Sequence, residues 1–202
     1  MVDFNNERFW NVRPRSQAKT SQSHPLRVDW LPQEVHQLRG RLGMTLAPGK
    51  SCCGFTGLWD RNLALDLKRL RDEHKCEHLV SLMQFAEYSR CGIEDLFSMA
   101  PNDYGIDVTW FPIADGHAPR DVERYLELID SVIALLRAGK SVVVHCRGGL
   151  GRTGTLAACT LIRLGTKPEE ALSTVRSTRL HTVDAGEQEA FVRDFDRKIA
   201  TL

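Results

Sequence analysis

Cys146 ends the apolar run Val142-Val143-Val144-His145, and Gly148, Gly149 and Gly151 follow it, with Arg152 six positions after the cysteine and Thr153 next. The β-branched run predicts a buried strand. The glycines allow a tight loop whose N–H groups all turn inward. Donors converging at a helix N-terminus make an anion site, and the same field favours a thiolate at Cys146. Arg152 adds a planar fork suited to two oxygens of a phosphoryl group. Arg147 and Leu150 contribute N–H groups to the same cradle, with their side chains expected to point away. A nucleophile inside a phosphate-sized cradle predicts phosphoryl transfer to sulfur. The bland alternative, an inert core thiol, suits Cys159 in the helical pattern that follows.

The rest of the chain reads as a scaffold for that loop. Residues 26–31 alternate as a strand, with 40–46 as its partner, turned back by Pro48-Gly49. A helix is expected over 60–74 with Asp60 as N-cap, then a strand over 78–83, a short helix over 85–89, a helical segment over 93–100 and a strand over 108–112. A helix over 120–138 ends at Gly139, and the central strand over 141–145 leads through the loop into a helix over 153–164. Two more helices follow, from Pro168 to about residue 177 and over 186–199. Strands alternating with helices predict an α/β fold, a mainly parallel central sheet with helices on both faces. Residues 1–24 are polar and read as a flexible arm on which Phe9 and Trp10 can dock, and 25–202 as one domain.

His-Cys, five residues, Arg and then Thr resembles the signature loop of the protein tyrosine and dual-specificity phosphatases. A second segment, Pro112-Ile113-Ala114-Asp115-Gly116-His117-Ala118-Pro119, is similar to the mobile general-acid loop of that family and precedes the signature loop, as it does there. The resemblance implies the family's fold and hydrolysis of phosphate monoesters through a phosphocysteine. It makes Cys146 the nucleophile and Asp115 the general acid, with Asp107 and Asp121 as nearby competitors. It also implies that Thr153 hydrogen-bonds the sulfur as it leaves, that His145 fixes the loop through a hydrogen bond, and that Gln188 positions the hydrolytic water. Gln188 is equally readable as an exposed residue of the last helix, His117 as packing the closed loop or touching substrate, and Arg179 as an ion-pair support. Within the family, the runs 46–50, 112–116 and 148–152 resemble the kinase-associated type. That makes a phosphorylated protein the expected substrate, with a kinase as one candidate, and the pocket is expected to accept phosphotyrosine and also phosphoserine or phosphothreonine. A phosphoinositide phosphatase with the same loop, an RNA 5′-phosphatase and a non-catalytic phosphate-binding module are the alternatives. The first usually carries a second cation where Leu150 stands, and the last should lack Cys146, Arg152 or the acid.

Composition narrows the partners. With 27 basic and 26 acidic residues the net charge is +1, so no overall field recruits nucleic acid or a membrane. No apolar run reaches the roughly 18–20 residues of a membrane span, and residues 1–6 show no signal pattern. The 6 cysteines form no small-domain disulfide framework or zinc-ligand spacing, so a reducing, cytoplasmic setting is expected, with no metal and no cofactor. A monomer is expected.

Overall fold

The apolar run ahead of Cys146 becomes the middle strand of a five-stranded sheet, and each of its residues is buried. The computed structural model describes residues 18–54, 57–184 and 186–201. In chain order the elements are β1 (Asp29–Trp30), α1 (Gln33–His36), β2 (Arg41–Leu46), β3 (Cys53–Gly54), β4 (Gly57–Leu58), α2 (Leu63–Asp72), β5 (His78–Ser81), α3 (Phe85–Cys91), α4 (Leu96–Tyr104) and β6 (Asp107–Trp110). They continue with α5 (Val122–Arg137), β7 (Ser141–Cys146), α6 (Gly151–Arg163), α7 (Pro168–Thr178), α8 (Gly186–Arg193) and α9 (Phe195–Ile199).

The sheet order is β1-β2-β7-β5-β6, with β2, β7, β5 and β6 parallel and β1 antiparallel at one edge. Alternation along β7 sends Val142 and Val144 into a core built with α5, α6 and the C-terminal helices, and Val143 into a second core with Leu67, Leu70 and Leu96. A strand covered on both faces has to be apolar throughout, and each such side chain contributes about 1.5–3 kcal/mol on burial. The expected architecture is the one observed. Among the described residues no helix is long and apolar enough to cross a membrane.

Four details differ from expectation. β1 and β2 do pair, but the reversal between them lies at residues 31–40, through α1. Pro48-Gly49 follows β2, and the Gly49 N–H donates to Asp66 at 2.9 Å. Asn62 caps α2, accepting from the Leu65 N–H at 2.9 Å, while Asp60 accepts from the Ser51 hydroxyl at 3.0 Å. The last helix breaks at Asp194 (φ −103°, ψ 1°), and Phe191 and Phe195, four residues apart, both pack on Tyr125. Residues 18–24, read as the end of a flexible arm, are docked: the Lys19 N–H donates to Leu58 O at 3.0 Å and the Asn62 N–H to the Ser21 hydroxyl at 2.9 Å. Phe9, Trp10 and the rest of the expected arm lie outside the described residues.

Candidate active site

The cradle forms where β7 ends and α6 begins. Cys146, 3% exposed, accepts the Gly149 N–H on its sulfur at 3.2 Å. Burial is the largest influence on this thiol and would raise its pKa. Arg152, Thr153 and the loop amides outweigh it, so the thiol is held below the ordinary cysteine range. Cys76 is also buried, and there burial outweighs the backbone of His78 and Val143 and the more modest pull of Arg71, pushing that thiol up to about 12. Both thiols are buried and both have groups favouring the thiolate, so it is the strength of the Arg152 and loop contributions that sets Cys146 apart.

Gly149 has φ +68°, and a Cβ there would lie 2.1 Å from the Thr45 carbonyl oxygen on β2. Only glycine lets the loop turn while lying directly on the sheet. Arg179 holds the outer side, donating from Nε to Gly149 O at 2.6 Å and from Nη2 to Gly148 O at 3.3 Å, with Nη1 on Asp29 at 2.5 Å. Carbonyls engaged from outside leave the loop's N–H groups free to face inward. Gly151 serves a different contact, since a Cβ there would come within 2.4 Å of Gln188 Oε1.

Arg152 is 1% exposed and its fork is heavily engaged. Nη1 donates to Glu87 Oε2 at 2.6 Å and to Ile113 O at 2.9 Å, while Nη2 donates to Glu87 Oε1 at 2.8 Å and Asp115 Oδ1 at 2.9 Å. Nε is buried with no partner among the described residues. Glu87 therefore takes one edge of the guanidinium, and the other edge keeps an unused donor beside the one on Asp115. Burial would raise the Glu87 carboxyl, but Arg152 and the Gln84 N–H hold it below its ordinary range.

Asp115 joins the two arginines of the loop, its Oδ2 accepting from Arg147 Nη2 at 2.6 Å. The Arg147 side chain thus reaches across to the acid segment, where it was expected to point away; a carboxylate within reach of an exposed guanidinium draws it over. The competing aspartates are elsewhere. Asp107 begins β6, in register with His78 and 3.7 Å from Lys140, and Asp121 caps α5 through the Arg124 N–H at 3.0 Å.

The acid segment is tied down from α8. Glu187 accepts from the Ala118 N–H at 3.0 Å and lies 2.8 Å from His117 Nδ1 at the surface. Gln188 is 1% exposed, against the exposed reading; it donates to His117 O at 3.1 Å, and its Oε1 has no partner among the described residues. Leu150 lines a groove beside the loop. The Thr153 hydroxyl is buried and makes no full hydrogen bond, yet it is near enough to the sulfur to be one of the groups that favour the thiolate.

His145 is fully buried beneath the loop. Neither ring nitrogen makes a full hydrogen bond among the described residues, although the Cys146 backbone is near enough to act on the ring. Burial pushes its pKa down to about 4, with the Cys146 backbone opposing and Arg152 adding to the fall, which leaves it neutral at pH 7. Its anchorage is through the backbone, with the Leu82 N–H donating to His145 O at 3.0 Å. Glu87 and Glu187 were not singled out from sequence. The only local sign of Glu87 was a capping box with Gln84, which reports a helix start and says nothing of Arg152.

A family model described as "Polymorphic toxin system, DSP-PTPase phosphatase" matches residues 53–166, more than half of the chain. Cyclin-dependent kinase inhibitor 3 of Rattus norvegicus is 27% identical over 179 residues, covering 87% of this chain and 81% of that protein. The probable protein tyrosine phosphatase type IVA B of Dictyostelium discoideum is 36% identical over 86 residues, 40% of this chain and 52% of that one. Among solved structures, kinase associated phosphatase carrying serine for its catalytic-site cysteine superposes with a TM-score of 0.79 at 26% identity, over 89% of this chain and 98% of that chain. Thiol, guanidinium and fold all agree with these matches: the chain belongs to the cysteine-dependent dual-specificity protein tyrosine phosphatases.

Proposed function

We propose that Cys146 attacks the phosphorus of a phosphorylated protein side chain, with the cradle amides of residues 147–151 and Arg152 holding the phosphoryl oxygens. The sulfur–phosphorus bond forms as the phosphorus–oxygen bond to the leaving group breaks, and Asp115, displaced from the arginines by the phosphoryl group and protonated from solvent, delivers its proton to that oxygen. Water, held by the free Oε1 of Gln188, then attacks the phosphocysteine. Asp115 takes its proton, and sulfur leaves as thiolate beside the Thr153 hydroxyl. No step calls on a metal or cofactor, because the guanidinium and amides meet the charge that builds on the equatorial oxygens.

One observation carries this reading: of the four buried cysteines, Cys146 alone is shifted downward. The similarity to cyclin-dependent kinase inhibitor 3 supports a phosphorylated kinase as the protein substrate, and a thiolate nucleophile supports a reducing, cytoplasmic setting. The test is Cys146→Ser, which keeps the cradle and loses the nucleophile. It should bind a phosphopeptide and fail to turn it over, and Arg152→Lys should lose most activity with the fork. Robust hydrolysis by a folded Cys146→Ser protein would end the proposal.

A further inference from the structure

Beside the cradle runs a groove of about 950 Å³, with Gly148 and Leu150 of the loop in its wall. That is near the upper end of the roughly 300–1,000 Å³ typical of ligand sites. Its charged lining is one-sided: Lys19, Arg27, Lys50, Arg61 and Arg179 face it, with Asp29 the sole carboxylate. Most of these cations are already paired. Arg61 is closed off by Asp66 at 2.7 and 2.8 Å, and Asp29 serves both Arg179 at 2.5 Å and Arg27 at 3.5 Å. Lys19 and Lys50 make no ion pair among the described residues.

Lys50 is the exceptional member. It is 3% exposed, and its ammonium makes no hydrogen bond among the described residues. Burial lowers the pKa of its ammonium, with the nearby Cys52, Cys91 and Cys146 opposing and Arg147 adding to the fall. Its backbone is fixed, since the Arg61 N–H donates to Lys50 O at 3.1 Å and the Gly49 N–H is held by Asp66. The Trp59 indole gathers three cations, with Lys19 Nζ 5.2 Å, Arg61 Cζ 5.5 Å and Lys50 Nζ 5.9 Å from its ring centre. Like charges collected around one ring repel each other, and an anion seated among them relieves that repulsion.

We propose that Lys50 and Lys19, at Trp59, form a second anion subsite that takes an acidic or phosphorylated side chain flanking the phosphoresidue in the cradle. The apolar wall supplied by Leu26, Leu46, Leu150 and Leu180 suits a polypeptide segment better than a bare inositol ring. The inference rests on the proposed phosphocysteine chemistry and names its substrate class: phosphoproteins with a second anionic residue near the target.

The test compares kcat/KM for phosphopeptides that share one target residue and carry alanine, glutamate or a second phosphoresidue at successive positions on either side. A charge-assisted hydrogen bond of ordinary strength corresponds to a preference of roughly 10- to 100-fold. The second anion should confer that preference at one or two positions in the wild type, more for phosphate than for glutamate. Lys50→Met removes the ammonium and its burial cost while keeping the volume, so folding should survive. The preference ratio should then fall towards one, Lys19→Met should lower it in part, and Lys50→Arg should retain some of it. Equal rates on all peptides in the wild type, or a full preference in Lys50→Met, would overturn the subsite while leaving the phosphatase reading intact. Failure to hydrolyse any of the peptides would count against that reading itself. A Lys50-dependent preference for phosphoinositide vesicles over every peptide would overturn the assignment to phosphoproteins.

Discussion

Glu87→Gln removes one charge from the most buried ion pair of the site and leaves the side chain's shape. In the wild type two oxygens accept from Arg152 at 2.6 and 2.8 Å, and both side chains are almost fully covered. The glutamine oxygen can replace one acceptor, but its NH2 then faces an Nη–H, donor against donor. Leaving a buried charge wholly unpaired costs about 3–5 kcal/mol. Here Arg152 keeps Ile113 O, Leu82 O and Asp115, so the loss should resemble that of one charge-assisted hydrogen bond, about 1.5–3 kcal/mol. Urea denaturation at pH 7 should show that deficit. The Glu87 carboxyl is lowered in the folded state relative to about 4.3 when unfolded. Its contribution is thus fully present above that unfolded value and disappears as pH falls through the folded one. The gap between wild type and Glu87→Gln should accordingly stay level from neutrality to about pH 5 and narrow below pH 4. A fork held less firmly should also reduce kcat/KM on para-nitrophenyl phosphate by about 10–100-fold, at 1.36 kcal/mol per tenfold. A double-mutant cycle with Arg152→Lys should show strong coupling. Wild-type stability together with wild-type kcat/KM would refute the idea that Glu87 fixes the fork.

Asp115→Asn should slow esters of poor leaving groups by about 10²–10⁴-fold and spare activated ones, as expected of a lost general acid; the same steep dependence in Asp107→Asn instead would relocate the acid. Gly149→Ala should abolish turnover and lower the melting temperature, because its Cβ meets Thr45 O at 2.1 Å in a left-handed backbone; a fully active, equally stable variant would contradict the geometry. Activity should persist in excess chelator, and a rate restored only by a divalent ion would count against the mechanism.

The Cys146 loop was legible because its requirements are local: a strand, a run of flexible residues and a helix start must follow one another along the chain. The electrostatic supports were not, because they come from afar in sequence. Glu87 lies 65 residues from Arg152, and Asp29 lies 150 residues from Arg179. A lone glutamate in a helix's first turn looks like a cap until the sheet brings its carboxylate to the fork. Pro48-Gly49 misled for a related reason, since a turn signal marks a change of direction without saying which strands it joins. Arg147 was misread because exposure alone sends a side chain outward, and only the folded position of Asp115 supplies the attraction that brings it back. The uncapped Asp60 is the ±1–2 residue uncertainty of any helix end, resolved here by which oxygen reaches the Leu65 N–H.

The contact between Asp115 and the two loop arginines also makes the acid segment a tethered rival of the substrate. Its Oδ1 rests on Arg152 Nη2, the donor next to the unused Nε, and Oδ2 rests on Arg147. An intramolecular group competes at an effective concentration that reaches the millimolar range for even a short flexible tether. Any incoming oxyanion therefore has to displace a carboxylate that the chain itself holds at the fork. On the proposed mechanism one side chain then sets affinity and rate in opposition: the residue that would hasten departure of the leaving group would also weaken capture of the phosphoryl group. Asp115→Asn should accordingly bind inorganic phosphate or vanadate more tightly than the wild type while turning substrate over more slowly.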